Sequence, residues 1–221
     1  VAQIDSDSVS RPGVYARGTE TVDAILKAAL SVLIEEGATA FTIRRVAAAC
    51  GLRVGNVSYH FPRKEMLVQV LLDDIMAHYD AKLEVNVRQA EIPDEDRLRL
   101  VITMCLDDIS TKRTTRLFTE LWALANHNDF IAERIHAFYG KVHDVLSEHI
   151  RPLNPNLSED EVRTLALFIS ASMEGTTPFL GFDKPWKARM PAITAISLEW
   201  FVHLVKNVKP GDIASLTSAL T

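Results

Sequence analysis

Apolar residues recur along most of the chain at steps of three and four, and no apolar–polar alternation of period two persists between turn signals. That spacing puts one apolar stripe on each of a series of helices and predicts an all-α protein of about nine helices. The first is expected over about 20–36, with Val22, Ile25, Leu26, Ala29 and Leu33 on its stripe, acids in its first turn and Gly37 as its stop. A short second helix is entered through Thr42, carries Ile43, Val46, Ala47 and Cys50, and ends at Gly51. A third covers roughly Val54–His60 and is closed by Pro62. A long fourth starts near Arg63 and carries Met66, Leu67, Val70, Leu71 and Met76 to about Gln89, before Pro93. Five more are predicted over about 94–110, 114–126, 129–151, 158–180 and 188–208, with turn chemistry at Pro152 to Pro155 and at Gly181 to Pro185. Residues 1–18 are polar, contain Arg11, Pro12, Gly13 and Gly18, and are expected to form a flexible arm.

Two short helices joined by a glycine-containing turn and braced by a preceding amphipathic helix form a unit that a DNA major groove accepts. An ordinary corner of a helical bundle shows the same periodicity, so the side chains must decide. In the third helix the apolar positions are few (Val54, Val57, Phe61), while Arg53, Asn56, Ser58, Tyr59 and His60 carry hydrogen-bonding groups suited to bases and phosphates. A buried corner helix has no use for so many. Leu26, Val46, Leu52, Val57 and Phe61 are expected to be the small unit's core and nothing more.

The segments Thr42-Ile43-Arg44-Arg45-Val46-Ala47, Gly51-Leu52, Gly55-Asn56 and Tyr59-His60-Phe61-Pro62-Arg63-Lys64-Glu65 resemble the signature of the TetR family over about residues 17–70. The resemblance implies that Arg44 approaches a base or phosphate, that Arg53, Val54 and Asn56 lie at the groove floor, and that Tyr59, His60 and Lys64 hold phosphates. Family members usually carry a small hydroxyl residue where Arg53 stands and often an aromatic where Ser58 stands. Arg53 cannot cap the third helix by accepting N–H bonds, so it is expected to contact DNA instead. The implied organisation is an arm over 1–18, a helix-turn-helix domain over 19–65 and a helical ligand-binding and dimerisation domain over 66–221. The small unit is taken to have its own core ending near Lys64, so that the larger domain reaches it only through the long fourth helix.

Composition sharpens this picture. With 221 residues, 48% hydrophobic and 24% charged, the chain can bury a sizeable core, which excludes a disordered or fibrous protein. The formal net charge of −5 speaks against nucleic acid, but residues 11–65 hold eight bases against five acids, so the basic charge is concentrated in the small unit. Cys50 and Cys105 have no metal or redox spacing and are expected to be reduced thiols of a cytoplasmic protein. Val1 to Asp7 contain no basic export signal, and no apolar run is long enough to span a bilayer. His136 and His143 share a helix face without a third ligand, so no metal is expected, and no cofactor. The nucleophile elbow, zincin pair, phosphate loop and dinucleotide fingerprint are missing, and nothing asks for an enzyme.

The last long helices carry apolar residues too broadly for one face. Ile193, Ile196, Trp200 and Leu204 form a stripe that Leu198, Phe201, Val202, Val205 and Val208 widen, so cover from a twin subunit is expected, giving a homodimer. A candidate ligand pocket draws on Met104, Phe118, Trp122, Phe138, Tyr139, Phe168 and Met173. Glu174 stands within a run of apolar and small residues, where a carboxylate is costly unless paired or facing a ligand. The segment 114–151 also loosely resembles choline-responsive repressors of the family, and aromatics beside a carboxylate suit a quaternary ammonium. The expected function is a repressor released from a palindromic operator by a small molecule. The alternative is a DNA-binding adaptor whose larger domain engages a protein and holds no small molecule; an empty or collapsed bundle between the fourth and eighth helices would favour it, and a wet or apolar cavity reaching Glu174 would favour the repressor.

Overall fold

Two glycines set the corners of the N-terminal unit. Gly37 (φ +82°) and Gly51 (φ +69°) adopt the left-handed conformation, which costs other L residues about 1–2 kcal/mol. The first ends α1 (Ala16–Glu36), and the second turns the chain between α2 (Ile43–Ala49) and α3 (Val54–His60). Thr42 caps α2 by accepting the Arg45 N–H at 3.1 Å, whereas Arg53 gives α3 no side-chain cap. α4 (Lys64–Leu83) runs into a π-helical turn (Glu84–Arg88), and the chain continues through α5 (Asp94–Ile109), α6 (Lys112–Ala125), α7 (Asp129–Ile150), α8 (Glu159–Glu174) and the single turn α9 (Thr177–Leu180). A 3-10 turn (Lys187–Arg189) leads into α10 (Met190–Asn207), and α11 (Asp212–Ser218) follows. This computed structural model describes residues 16–219, and among them there is no strand. The protein is all-α, as its periodicity predicts. Residues 1–15 of the expected arm lie outside the described residues.

The elements depart from the sequence-based expectation at four places. α1 begins at Ala16, so Glu20 falls beyond its first turn. The helix expected over 158–180 is broken after Glu174: Pro178 lacks the N–H that would continue the ladder onto the Glu174 carbonyl, and it opens α9 instead. The end of the long fourth helix is a π-helical turn (Glu84–Arg88) instead of a continuation of the α-helix. α11 was not expected, because its seven residues include no buried one and so carry no stripe.

Two apolar cores result. One gathers Ile25, Leu33, Phe41, Val46, Val57 and Leu67 from α1 to α4 with Leu117, Phe118 and Leu121 of α6 and Ile131, Ile135 and Phe138 of α7. The N-terminal helices therefore do not have a core of their own: α6 packs along α1, and α7 along α4. The expectation of a single connection through the long helix is corrected accordingly. The second core joins Leu98, Ile102 and Leu106 of α5 to Leu146 and Ile150 of α7, Ile169 of α8 and Val205 of α10. Asn154 pins the end of α10 by donating to the carbonyls of Val205 and Val208, both at 2.8 Å. A capping box between Ser158 and Glu161 starts α8, and Glu161 also accepts the Gly211 N–H at 2.7 Å.

Candidate functional site

The helix-turn-helix sorts its side chains by face. Val46, Ala47, Val57 and Phe61 are buried, while Arg44, Arg53, Val54, Asn56 and Tyr59 are exposed and His60 and Lys64 partly so. Tyr59 is 83% exposed, and its ring meets His60 edge-on at 5.1 Å. An aromatic left this open gains nothing from burial. The two adjacent arginines of α2 have different surroundings. Arg45 is held by Glu36 of α1 at 2.7 and 2.5 Å, whereas Arg44 is exposed. All seven residues expected to contact DNA thus lie at least partly exposed on the helix-turn-helix and the start of α4.

A second site lies inside the bundle. Between α4, α5, α6, α7 and α8 is a mostly apolar chamber of about 80 Å³, walled by Met76, Met104, Phe118, Phe138 and Val142 among others, whose charged lining groups are Asp108 and Glu174. The two carboxylates are held differently. Asp108 accepts hydrogen bonds from Tyr79 Oη of α4 and, at 2.5 Å, from Thr114 Oγ1 of α6. Glu174 is hydrogen-bonded by Tyr139, whose hydroxyl accepts the indole N–H of Trp122 at 2.9 Å. Burial pushes the Glu174 carboxyl up to about 7; the Asp108 charge adds to the rise, and the Tyr139 hydrogen bond opposes it. Burial likewise raises both tyrosines, and it raises the Cys105 thiol to about 12, which leaves that sulfur unreactive.

Of the residues expected to form the pocket, Met104, Phe118, Phe138 and Glu174 line the chamber, and Tyr139 and Trp122 stand behind Glu174. Phe168 and Met173 are not brought there. Met173 is buried in the second core, and Phe168 is 51% exposed, with its ring 6.2 Å from that of Phe201. Tyr79, Asp108 and Thr114 were missed by sequence reasoning. Phe168 is instead exposed, as are its neighbour Leu167 and, on α10, Ile196 and Trp200, each more than half exposed, whereas Phe201, Val202 and Val205 of α10 face the chain's own core. The breadth of α10 is thus resolved as one covered side and one open side.

Residues 25–71 match the model described as "Bacterial regulatory proteins, tetR family", and residues 94–202 match "BetI-type transcriptional repressor, C-terminal". The chain belongs to the TetR family of transcriptional regulators. This TetR-family regulator is 25% identical over 133 residues to an uncharacterized HTH-type transcriptional regulator in the dhlA 5′ region of Xanthobacter autotrophicus; the match spans 59% of the chain and 66% of that relative, just under two thirds of its length. A TetR-family regulator from Syntrophomonas wolfei superposes with a TM-score of 0.69 at 16% identity, covering 86% of this chain and 97% of that one. A regulator from Saccharomonospora viridis solved in complex with choline gives 0.65 at 15% identity, with the same coverages of 86% and 97%. The fold of these regulators is shared over most of the chain, and the DNA-binding domain of the TetR-family regulator lies in the N-terminal helices matched over residues 25–71. Among its described residues no helix is long and apolar enough to cross a membrane.

Proposed function

We propose that the protein is a homodimeric repressor of a palindromic operator and that a small organic cation in the α4–α8 chamber releases it. The observation that carries this reading is the chamber itself, mostly apolar and partly open to solvent, with two carboxyl groups and no base on its wall. A buried carboxylate is costly unless something pairs with it, and a cation bordered by Phe118, Phe138 and the Tyr79 ring gains both charge and π-face contact. A water's share of liquid volume is about 30 Å³, so the space corresponds to between two and three waters. It is far smaller than the roughly 300–1,000 Å³ of drug-sized pockets. An ion the size of choline is larger than this space, so it enters only by pressing the walls, α4 and α6 among them, apart. The choline bound in the Saccharomonospora viridis regulator accords with this chemistry, and an apolar cavity reaching Glu174 supports a ligand-responsive repressor over a protein-binding adaptor.

Within this reading residues 19–65 bind DNA through Arg44, Arg53, Val54, Asn56, Tyr59, His60 and Lys64, and residues 66–221 bind ligand and dimerise. The open face of Leu167, Phe168, Ile196 and Trp200 meets the same face of a twin subunit about a two-fold axis. That axis sets the two recognition helices about one DNA turn apart, roughly 34–36 Å. The test is a titration of the operator complex with choline, tetramethylammonium and the neutral isostere 3,3-dimethylbutanol. Release by the cations and not by the alcohol is the expected result; release by the alcohol alone, or by none of the three, refutes the cation reading.

A further inference from the structure

We propose that Glu120 is the positioning residue through which the state of the chamber reaches the helix-turn-helix, so that α6 carries ligand occupancy to the DNA reader alongside α4. This rests on the reading of the chamber as the sensing site. α6 presents two working faces. Thr114 and Phe118, four residues apart, line the chamber, while Arg116 and Glu120, also four apart and offset by about half a turn, face α1. On that second face Lys112 Nζ reaches Glu35 at 2.7 Å, and Arg116 Nη1 donates to the Ile34 carbonyl at 3.3 Å. Glu120 Oε2 accepts the Ala38 N–H at 2.7 Å.

These contacts differ in weight. The Lys112 and Arg116 pairs with Glu35 are solvated, and ion pairs of that kind hold little. The Glu120 bond is charge-assisted, partly buried, and made to backbone, so it fixes a main-chain position rather than a side chain. It closes on the corner between α1 and α2, where Gly37 is left-handed and a Cβ would stand 3.2 Å from Glu120 Oε1. The glycine is required by the left-handed turn, and the Glu120 carboxylate lies close against it. On the α1 side of this corner Glu36 grips Arg45 of α2, so a shift of the corner moves the start of the reader. A ligand that displaces Phe118 or Thr114 rotates or slides one short rigid helix, and the Glu120 carboxylate moves with it.

The experiment uses the full-length dimer and an operator selected by the wild type from a random duplex library. Cys105→Phe fills the chamber in place of a ligand, and Val145→Phe does so from α7 if the first variant melts early. Operator affinity is measured for each filler alone and combined with Glu120→Ala or Glu120→Gln, and exchange of the Ala38 amide is followed in the single variants. The filler is expected to weaken operator binding roughly tenfold in the wild type and about twofold or less with Glu120→Ala. Glu120→Gln, which keeps an acceptor oxygen, should restore most of the difference. Ala38 exchange should quicken in Glu120→Ala and not in Glu120→Gln. An equal loss in all three backgrounds overturns the role of Glu120 while leaving the chamber reading standing. A folded filler variant with unchanged operator affinity refutes the chamber as a sensor, and the proposal with it.

Discussion

Replacing Glu174 with glutamine should change the pH dependence of stability in a direction that burial alone dictates. The carboxyl stands at about 7 in the folded protein against 4.5 in an exposed chain, so the folded state holds the proton more tightly. A group raised in this way contributes its full stability below pH 4.5, and the contribution is lost as pH climbs through 7. At 1.36 kcal/mol for each pKa unit, the swing is at most about 3 kcal/mol, and partial exposure of the side chain reduces it to roughly 2 kcal/mol. Glutamine hydrogen-bonds much as the protonated acid does and never ionises. The variant should therefore melt close to wild type at pH 5 and on the order of 5 °C above it at pH 8. Histidines with lowered pKa values, His78, His143 and His149, titrate in both proteins and cancel in the difference. Thermal melts of both dimers at half-unit steps from pH 5 to 8 measure it. Parallel profiles would refute the claim that Glu174 is held protonated by its surroundings. The same ionisation bears on the cation. Choline should bind wild type more weakly as pH falls below 7, by at most about tenfold per unit because Asp108 also lines the chamber, and Glu174→Gln should bind it more weakly than wild type above pH 7 and without this pH dependence.

Three further outcomes are expected. Tyr59→Ala and Asn56→Ala should each abolish specific operator binding in an anisotropy assay without changing the dimer's melting, since both side chains are exposed on α3. Lys64→Ala should weaken matched and mismatched duplexes alike and make the salt dependence shallower by about one unit, as for the loss of one phosphate contact. Trp200→Asp, placing a charge where a 66% exposed indole stands, should leave each subunit folded and shift sedimentation from dimer to monomer at micromolar concentration.

The DNA-reading unit was legible because its signals are local. A capping threonine, two glycines that must be left-handed and a short helix with one buried valine all announce themselves within a few residues. The chamber was half legible. Met104, Phe118, Phe138 and Glu174 were found because large apolar groups and an isolated acid stand out, but composition cannot say which side of a helix with two apolar faces turns inward, and Phe168 turned outward. Tyr79 and Asp108 had a signal that was passed over. Tyr79 falls three residues after Met76 and four before Leu83, and Asp108 falls four after Met104 and three after Cys105. Each polar group therefore sits on its helix's apolar stripe, the pattern of a group placed in a cavity. The packing of α6 on α1 had no such signal. It joins residues about eighty positions apart through a carboxylate and a backbone amide, and neither leaves a period in the sequence.

The apolar core that runs from α1 into α7 also limits how this protein can be recombined. Joining its operator-reading head to another regulator's sensor at Lys64 would strip Leu117, Phe118, Leu121, Ile131, Ile135 and Phe138 from the side chains they bury. The foreign α6 would have to offer the same shape to α1, and a carboxylate to the corner after it. A transferable cassette would therefore extend from α1 through the first half of α7, and its boundary would fall where one core hands over to the other, well inside what the connectivity presents as the sensor.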